Sequence, residues 1–210
     1  MSSPSFSSSK PSASFWRNQL RQWHWISSAI SLMGLILFAV TGFTLNHASQ
    51  IEAKPVTTTI EKVLPAETLA RLQSLQDKQA MTISQALAIK AATGIDARRI
   101  AADVDEDVIY FPMAEPGIDA SMTIDRHDGS VVYERTQRGM IAVLNDLHKG
   151  RHAGAVWALF IDVIAIACVI FGLTGLGLLW LYARGRRITW PLVALGLALP
   201  FILYLLYVHA

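Results

Sequence analysis

The sequence predicts an α-helical integral membrane protein with three transmembrane helices and a small α+β domain outside the cytoplasm. Three observations carry this. Of the 210 residues, 52% are hydrophobic and 16% charged, and the mean hydropathy is +0.37. Apart from Asp162, the charges avoid Ile26 to Leu45, Val156 to Tyr182 and Ile188 to Val208, each long enough to cross the hydrocarbon layer as a helix of about 20 residues. Between the first two stretches the hydrophobic pattern turns from helical spacing to alternation, the signature of a helix followed by strands.

The chain opens with MSSPSFSSSKPSAS, rich in Ser and Pro. Such a segment cannot bury enough apolar surface to fold alone, so residues 1–16 are expected to be a disordered cytoplasmic tail. The first transmembrane helix is placed at 17–48. It is read as a retained span and not a cleaved leader, because its apolar run outlasts a signal peptide's core and no small-x-small site follows it in TGFTLNHAS. Trp16, Trp23 and Trp25 mark the inner headgroup belt, matched by Trp180, Tyr182 and Trp190 on the other two spans.

Residues 49–147 form a region large enough for a small domain. Gln50 to Thr59 reads as an extended lead-in. ThrIleSerGlnAla at 82–86 opens a helix with Ile83, Leu87 and Ala91 at i and i+4, stopped by Gly94. Strand-like runs follow at Arg99 to Val104, Val108 to Met113, Ala120 to Ile124 and Ser130 to Glu134, the last two joined by AspArgHisAspGly, a hairpin signal. The module is placed at about 80–135, the second transmembrane helix at 148–183 and the third at 188–209.

Charge placement gives orientation. Lys10, Arg17 and Arg21 flank the start of the first span, and Arg184, Arg186 and Arg187 fill the short loop between the other two. The positive-inside rule puts both in the cytoplasm, and the 49–147 region with the C-terminus on the far side. The net charge of +2 comes largely from these flanks, so nucleic-acid binding is not indicated. The lone Cys168 offers neither a disulfide framework nor a redox pair, and no triad, HExxH, P-loop or dinucleotide fingerprint is present.

Histidines at the span ends carry the strongest chemical signal. His24 and His47 are 47 − 24 = 23 residues apart, roughly 34 Å along a helix, so they lie at opposite faces of the bilayer. His47 and His148 fall at the same outer level on different helices, which suits the two axial ligands of a b-type haem. His148 and His152, at i and i+4, share a face if one helix runs through both, a spacing that also suits a single Zn, Cu or Fe ion with Asp146 or Asp162 as a further ligand. Asp162 otherwise acts behind a ligating histidine as its hydrogen-bond acceptor, or pairs structurally with Ser or Thr of the first helix. Gly42, Gly150, Gly154, Gly172 and Gly175 either admit a macrocycle or permit close helix packing. His24 has no histidine at its own level, so a haem there needs a ligand from a second copy or another subunit; its alternative is an interfacial hydrogen bond. His127 is read as a solvated turn residue and His209 as a frayed terminus.

The strings MTISQALAIKAATGI and MTIDRHDGSVVYE resemble a PepSY domain. HWISSAISLMGLILFAVTGFTLNH and LNDLHKGRHAGAVWALFIDVIAIACVIFGLTGLGLLW resemble the short three-helix branch of PepSY-associated transmembrane proteins, and the resemblance covers residues of about 17 to 187. It implies kinship with haem-containing inner-membrane reductases of ferric siderophores, with the short branch accompanying iron uptake. By that resemblance His24, His47 and His148 fall on the family's histidine positions, and His152 stands where relatives accept an acid. The larger reductases' fourth helix and second ligand set are absent from this sequence.

Two functional readings follow. The first is a haem-binding electron-transfer protein of the bacterial inner membrane, a component of periplasmic ferric-siderophore reduction or iron uptake, with the lipid bilayer around it and a homodimer as one source of ligands. The second is a non-enzymatic membrane-anchored PepSY module that binds a protein partner or regulates a protease.

Overall fold

The computed structural model describes residues 13–51 and 54–208. Most of the expected tail, and His209, lie outside the described residues. Three helices are long and apolar enough to cross a membrane: Ala13–Asn46, Gly154–Tyr182 and Thr189–Val208. By contacts the chain divides into two units, Met1–Leu35 with Asp162–Ala210, and Ile36–Ile161.

The first unit is helical. The N-terminal helix α1 (Ala13–Asn46) starts four residues before the expected boundary, and its 34 residues span about 51 Å, well beyond a ~30 Å hydrocarbon layer. Its buried face in this unit is polar and small: Ser27 is 3% and Ser31 1% exposed. With His24 and Gly34 these positions step by 3, 4 and 3, the seam of closely packed helices. The opposing seam contains Ile164, Ala167, Phe171 and Thr174, which repeats the same steps on a second long helix, Gly154–Tyr182. Gly34 lies against Ile164 and His24 against Thr174, so the two runs are antiparallel. A Cβ at Gly34 would stand 2.8 Å from Ile164 Cγ2, so glycine is what admits that side chain.

The third span begins at Thr189. Its regular part ends at Leu203, and Tyr204–Val208 winds as a π-helix. Pro200 removes one backbone donor there, and the wider turn follows it. None of its described residues is buried, so its apolar surface is left for lipid.

The second unit holds the sheet. Helix α2 (Ala66–Leu72) and helix α3 (Ile83–Thr93) accompany five antiparallel strands in the order β1-β5-β4-β3-β2. These are β1 (Val56–Val63), β2 (Asp103–Val104), β3 (Val108–Pro112), β4 (Ile118–Asp125) and β5 (Ser130–Gln137). Alternation works as expected in β3 and β4: Ile109, Phe111, Met122 and Ile124 are fully buried because period-2 pleating sends them to one face. The four-residue β4–β5 turn is held by Asp125, whose carboxylate accepts from the His127 and Asp128 amides at 2.7 and 3.2 Å, while Gly129 takes φ +74°.

Four expectations are corrected. Within the expected lead-in at 50–59, Val56 begins a full edge strand, β1, paired along β5 from Val56↔Gln137 to Val63↔Ser130. The run from 99 to 104 is a strand only over Asp103–Val104. Helix α3 has the expected ends, a Thr82 capping box with Gln85 and a left-handed Gly94 cap, but the opposite face is buried. Ala86 and Ile89 enter the core, whereas Ile83 is 76% and Leu87 51% exposed.

The largest correction concerns the start of the second span. A separate amphipathic helix, α4 (Met140–Lys149), precedes it, and the long helix, now α5 (Gly154–Tyr182), begins afresh. Gly150 ends α4 at φ +69°; its amide reaches Leu147 O and the Arg151 amide reaches Asp146 O, a Schellman closure. Trp157 Nε1 then donates to Leu147 O at 2.8 Å, tying the first turn of α5 to the last carbonyls of α4.

Candidate functional site: two histidine cradles

In the helical unit, His24 on α1 rests in a cradle made by α5. Its Nδ1 is 3.1 Å from Thr174 Oγ1. Its ring stacks on Phe171 at a centroid distance of 4.7 Å and an interplanar angle of 15°. A Cβ on Gly175 would stand 3.3 Å from the imidazole Cε1. Beyond the ring opens a pocket of about 410 Å³ lined by Leu178, Leu179, Tyr182, Ala183 and Arg186. The walls are mostly apolar, with a phenol and a guanidinium among them.

In the sheet-bearing unit, His148 on α4 rests in a cradle of the same construction made by α1. Its Nδ1 is 2.8 Å from Thr41 Oγ1, Phe38 meets the ring edge-on at 5.4 Å, and a Cβ on Gly42 would stand 3.2 Å from Cε1. Thr41 is 3% exposed. The adjoining cavity, bounded by Leu37, Leu144 and Trp157 among others, has only about 30 Å³, on the order of one water molecule. Next to the cradle, Thr44 Oγ1 donates back to Thr41 O at 2.8 Å and stands 3.1 Å from the Asn145 side-chain amide, a second polar contact between α1 and α4.

The two cradles share one string. FAVTG occupies 38–42 and FGLTG occupies 171–175. A phenylalanine, a threonine three residues on and a glycine after it project toward one face of a helix, and each set holds a histidine from a different helix. Taken singly, the glycines do not show the repeat, which stands in plain view in the chain.

The other candidates are placed differently. His47 follows the end of α1, where its Nδ1 donates to Phe43 O at 3.0 Å and its ring lies over Phe43. At 3.6 residues per turn it lies roughly 120–140° around α1 from Thr41 and Gly42, so the structure does not turn it toward His148. His152 is exposed in the turn after α4, at φ +55°, so the shared helical face with His148 is not formed; Gly150 breaks the helix between them. Asp162 is exposed on α5 and makes no hydrogen bond or ion pair among the described residues. Asp146 is 2% exposed and already committed: its Oδ2 accepts from Gly117 N at 2.9 Å and from Arg138 at 2.6 Å. Among the described residues no three His, Cys, Asp or Glu side chains gather as a metal-holding group.

His127, in the β4–β5 turn, faces a carboxylate. Its Nε2 is 2.9 Å from Asp107 Oδ1, with both side chains exposed, and the hydrogen bond and charge of Asp107 raise its pKa above the ordinary 6.5. Because the folded value is the higher one, the pair's contribution to stability is present below pH 6.5 and fades as pH rises through the raised value. An NMR titration should therefore place His127 above the ordinary histidine midpoint, and Asp107→Asn should return it there.

As a haem test, the donor sets differ. At His24 an imidazole faces an open, mostly apolar pocket, a glycine lets a flat ring approach the backbone, and Arg186 could meet a carboxylate, so these residues would fit a haem with His24 as a ligand. At His148 the cavity admits water but no macrocycle. Long apolar helices bearing a small antiparallel sheet with two helices define a membrane-anchored α+β protein. Its sequence matches the PepSY_TM-like family model over residues 15–209, and the chain belongs to that family. No curated protein and no solved structure matches the chain.

Proposed function

We propose that this is an inner-membrane haem-binding electron-transfer protein serving periplasmic ferric-siderophore reduction or iron uptake. The His24 pocket is the observation that carries the reading: an imidazole beside Gly175, apolar walls and Arg186 at one site on the membrane helices. Haem supplies one-electron transfer at its iron. The chain's own part is to offer the His24 nitrogen, exclude water with Leu178 and Leu179, and bind an anionic substituent with Arg186. A further nitrogen ligand for the group would come from a second copy or another subunit, as a single histidine in a symmetric assembly allows. The basic flanks support a cytoplasmic N-terminus and a periplasmic sheet module and C-terminus.

The test is the visible spectrum of protein purified from haem-replete cells. A Soret band that shifts on dithionite reduction, and that falls at least tenfold in His24→Ala, is the expected result. Colourless wild-type protein would overturn the reading.

A second reading has its own observation. Ile83 and Leu87 stand exposed on the outer face of α3, where an apolar pair is available to a protein partner of the sheet module. Charged replacements at both positions would abolish function on that reading and leave haem content unchanged.

A further inference from the structure

The repeated Phe-x-x-Thr-Gly string does more than seat two rings. In each cradle the threonine hydroxyl lies near two carbonyl oxygens of its own helix and one imidazole nitrogen, the farther carbonyls being Phe38 O at 3.4 Å and Phe171 O at 3.1 Å. Thr41 Oγ1 is 2.8 Å from the Leu37 carbonyl oxygen and 2.8 Å from His148 Nδ1. Thr174 Oγ1 is 2.7 Å from the Ile170 carbonyl oxygen and 3.1 Å from His24 Nδ1.

A hydroxyl has one proton to give. A carbonyl can only accept, so two oxygens at 2.7–2.8 Å repel unless that proton lies between them. The hydroxyl therefore donates back to its own helix, the usual habit of threonine in a helix interior, and offers a lone pair to the histidine. Nδ1 must then carry the imidazole proton. Neutral imidazole has a single ring proton, so Nε2 is left with its lone pair.

We propose that Thr174 and Thr41 are positioning residues that hold His24 and His148 in the Nδ1-protonated tautomer, so that each presents Nε2 as its ligand or acceptor atom. Glycine at the next position completes the device, because its missing Cβ lets Cε1 lie against the helix backbone. Phe171 and Phe38, one turn earlier, limit rotation of the ring. The same tautomer is selected twice, by two copies of one string on different helices. The inference rests on the haem reading for the identity of the ligand at His24; the tautomer itself rests only on hydrogen bonding.

The test is ¹⁵N NMR of histidine-labelled full-length protein in detergent micelles, purified without added haem. The expected spectrum has a pyrrole-type Nδ1 and a pyridine-type Nε2 at both His24 and His148. Thr174→Val should turn His24 alone into a tautomer mixture, and Thr41→Val should do so to His148 alone. The serine variants, which keep the hydroxyl, should restore the wild-type pattern. In haem-loaded protein Thr174→Val should lower retention about 10–100-fold, the usual effect of removing the group behind a ligand. Nε2-protonated histidines in the wild type, or tautomers indifferent to the valine changes, would overturn the assignment whatever the colour of the protein. Colourless wild-type protein with Nδ1-protonated histidines would refute the haem reading and uphold the tautomer assignment.

Discussion

Asp146→Ala should destabilise the sheet-bearing unit by about 3–5 kcal/mol, the cost of removing one partner from a buried ion pair. Three groups each lose a partner at once. The Gly117 amide has no other acceptor, Arg138 keeps only Asp119 at 2.9 Å, and Arg151 loses a carboxylate 3.9 Å away. The carboxylate joins α4 to the turn between β3 and β4, and the join is tight. Gly117 sits at φ +74°, and a Cβ there would overlap Val143 Cγ2 and stand 2.9 Å from the Val143 amide nitrogen. Asp146→Asn keeps an acceptor for Gly117 and loses the charge, so it should cost about 1–3 kcal/mol. Denaturant unfolding of the full chain measures both, and hydrogen exchange at the Gly117 amide locates the effect. An alanine variant within ~1 kcal/mol of wild type would show that the joint contributes nothing to stability, as many exposed pairs do.

That joint also shows where sequence reading stops. The three spans were legible because lipid imposes a long uncharged run whatever the tertiary structure. The ends of α3 were legible because Thr82, Gln85 and Gly94 act within a few residues of one another. Its buried face was not. Spacing favoured the large residues Ile83 and Leu87, whereas the sheet accepts the small Ala86 beside Ile89, and the choice depends on strands far away in the chain. Strand β1 was half read for the same reason: VTTTIEKV looks like solvated extended chain until β5 is laid beside it. The break between α4 and α5 did have a local signal in Gly150, but the i, i+4 spacing of His148 and His152 pointed to a continuous helix and outweighed it.

The histidines follow the same division. Their level in the membrane came from counting residues, and their facing did not. His47 and His148 are expected at one level on two helices but project differently, because His47 bonds to its own helix at Phe43 while His148 is drawn to Thr41. His24, left without a partner by counting, has the roomier pocket. Its contacts come from residues 171–175, a partnership across some 150 positions that no window of sequence contains. The repeated string was visible, but its purpose required the histidine of another helix.

Bulk at the cradle glycine should have the largest functional effect. In Gly175→Val the Cβ alone would stand 3.3 Å from His24 Cε1, and two further methyls must go over the ring or into the pocket beside it. Helix propensity does not oppose the change, since glycine is the poorer helix former, so α5 is expected to persist. The imidazole has to leave Thr174 and Phe171, and the pocket of about 410 Å³ loses the face against which a flat ring would lie. Haem content should fall at least tenfold, matching His24→Ala, while circular dichroism stays at the wild-type level. Gly42→Val should displace His148 from Thr41 by the same contact, at 3.2 Å, yet leave haem content nearly unchanged, because the cavity there has room for about one water. Equal losses in both variants would place a ligand at His148 as well and refute the assignment of the open site to His24 alone. Full retention of haem in Gly175→Val would remove His24 from the ligand set.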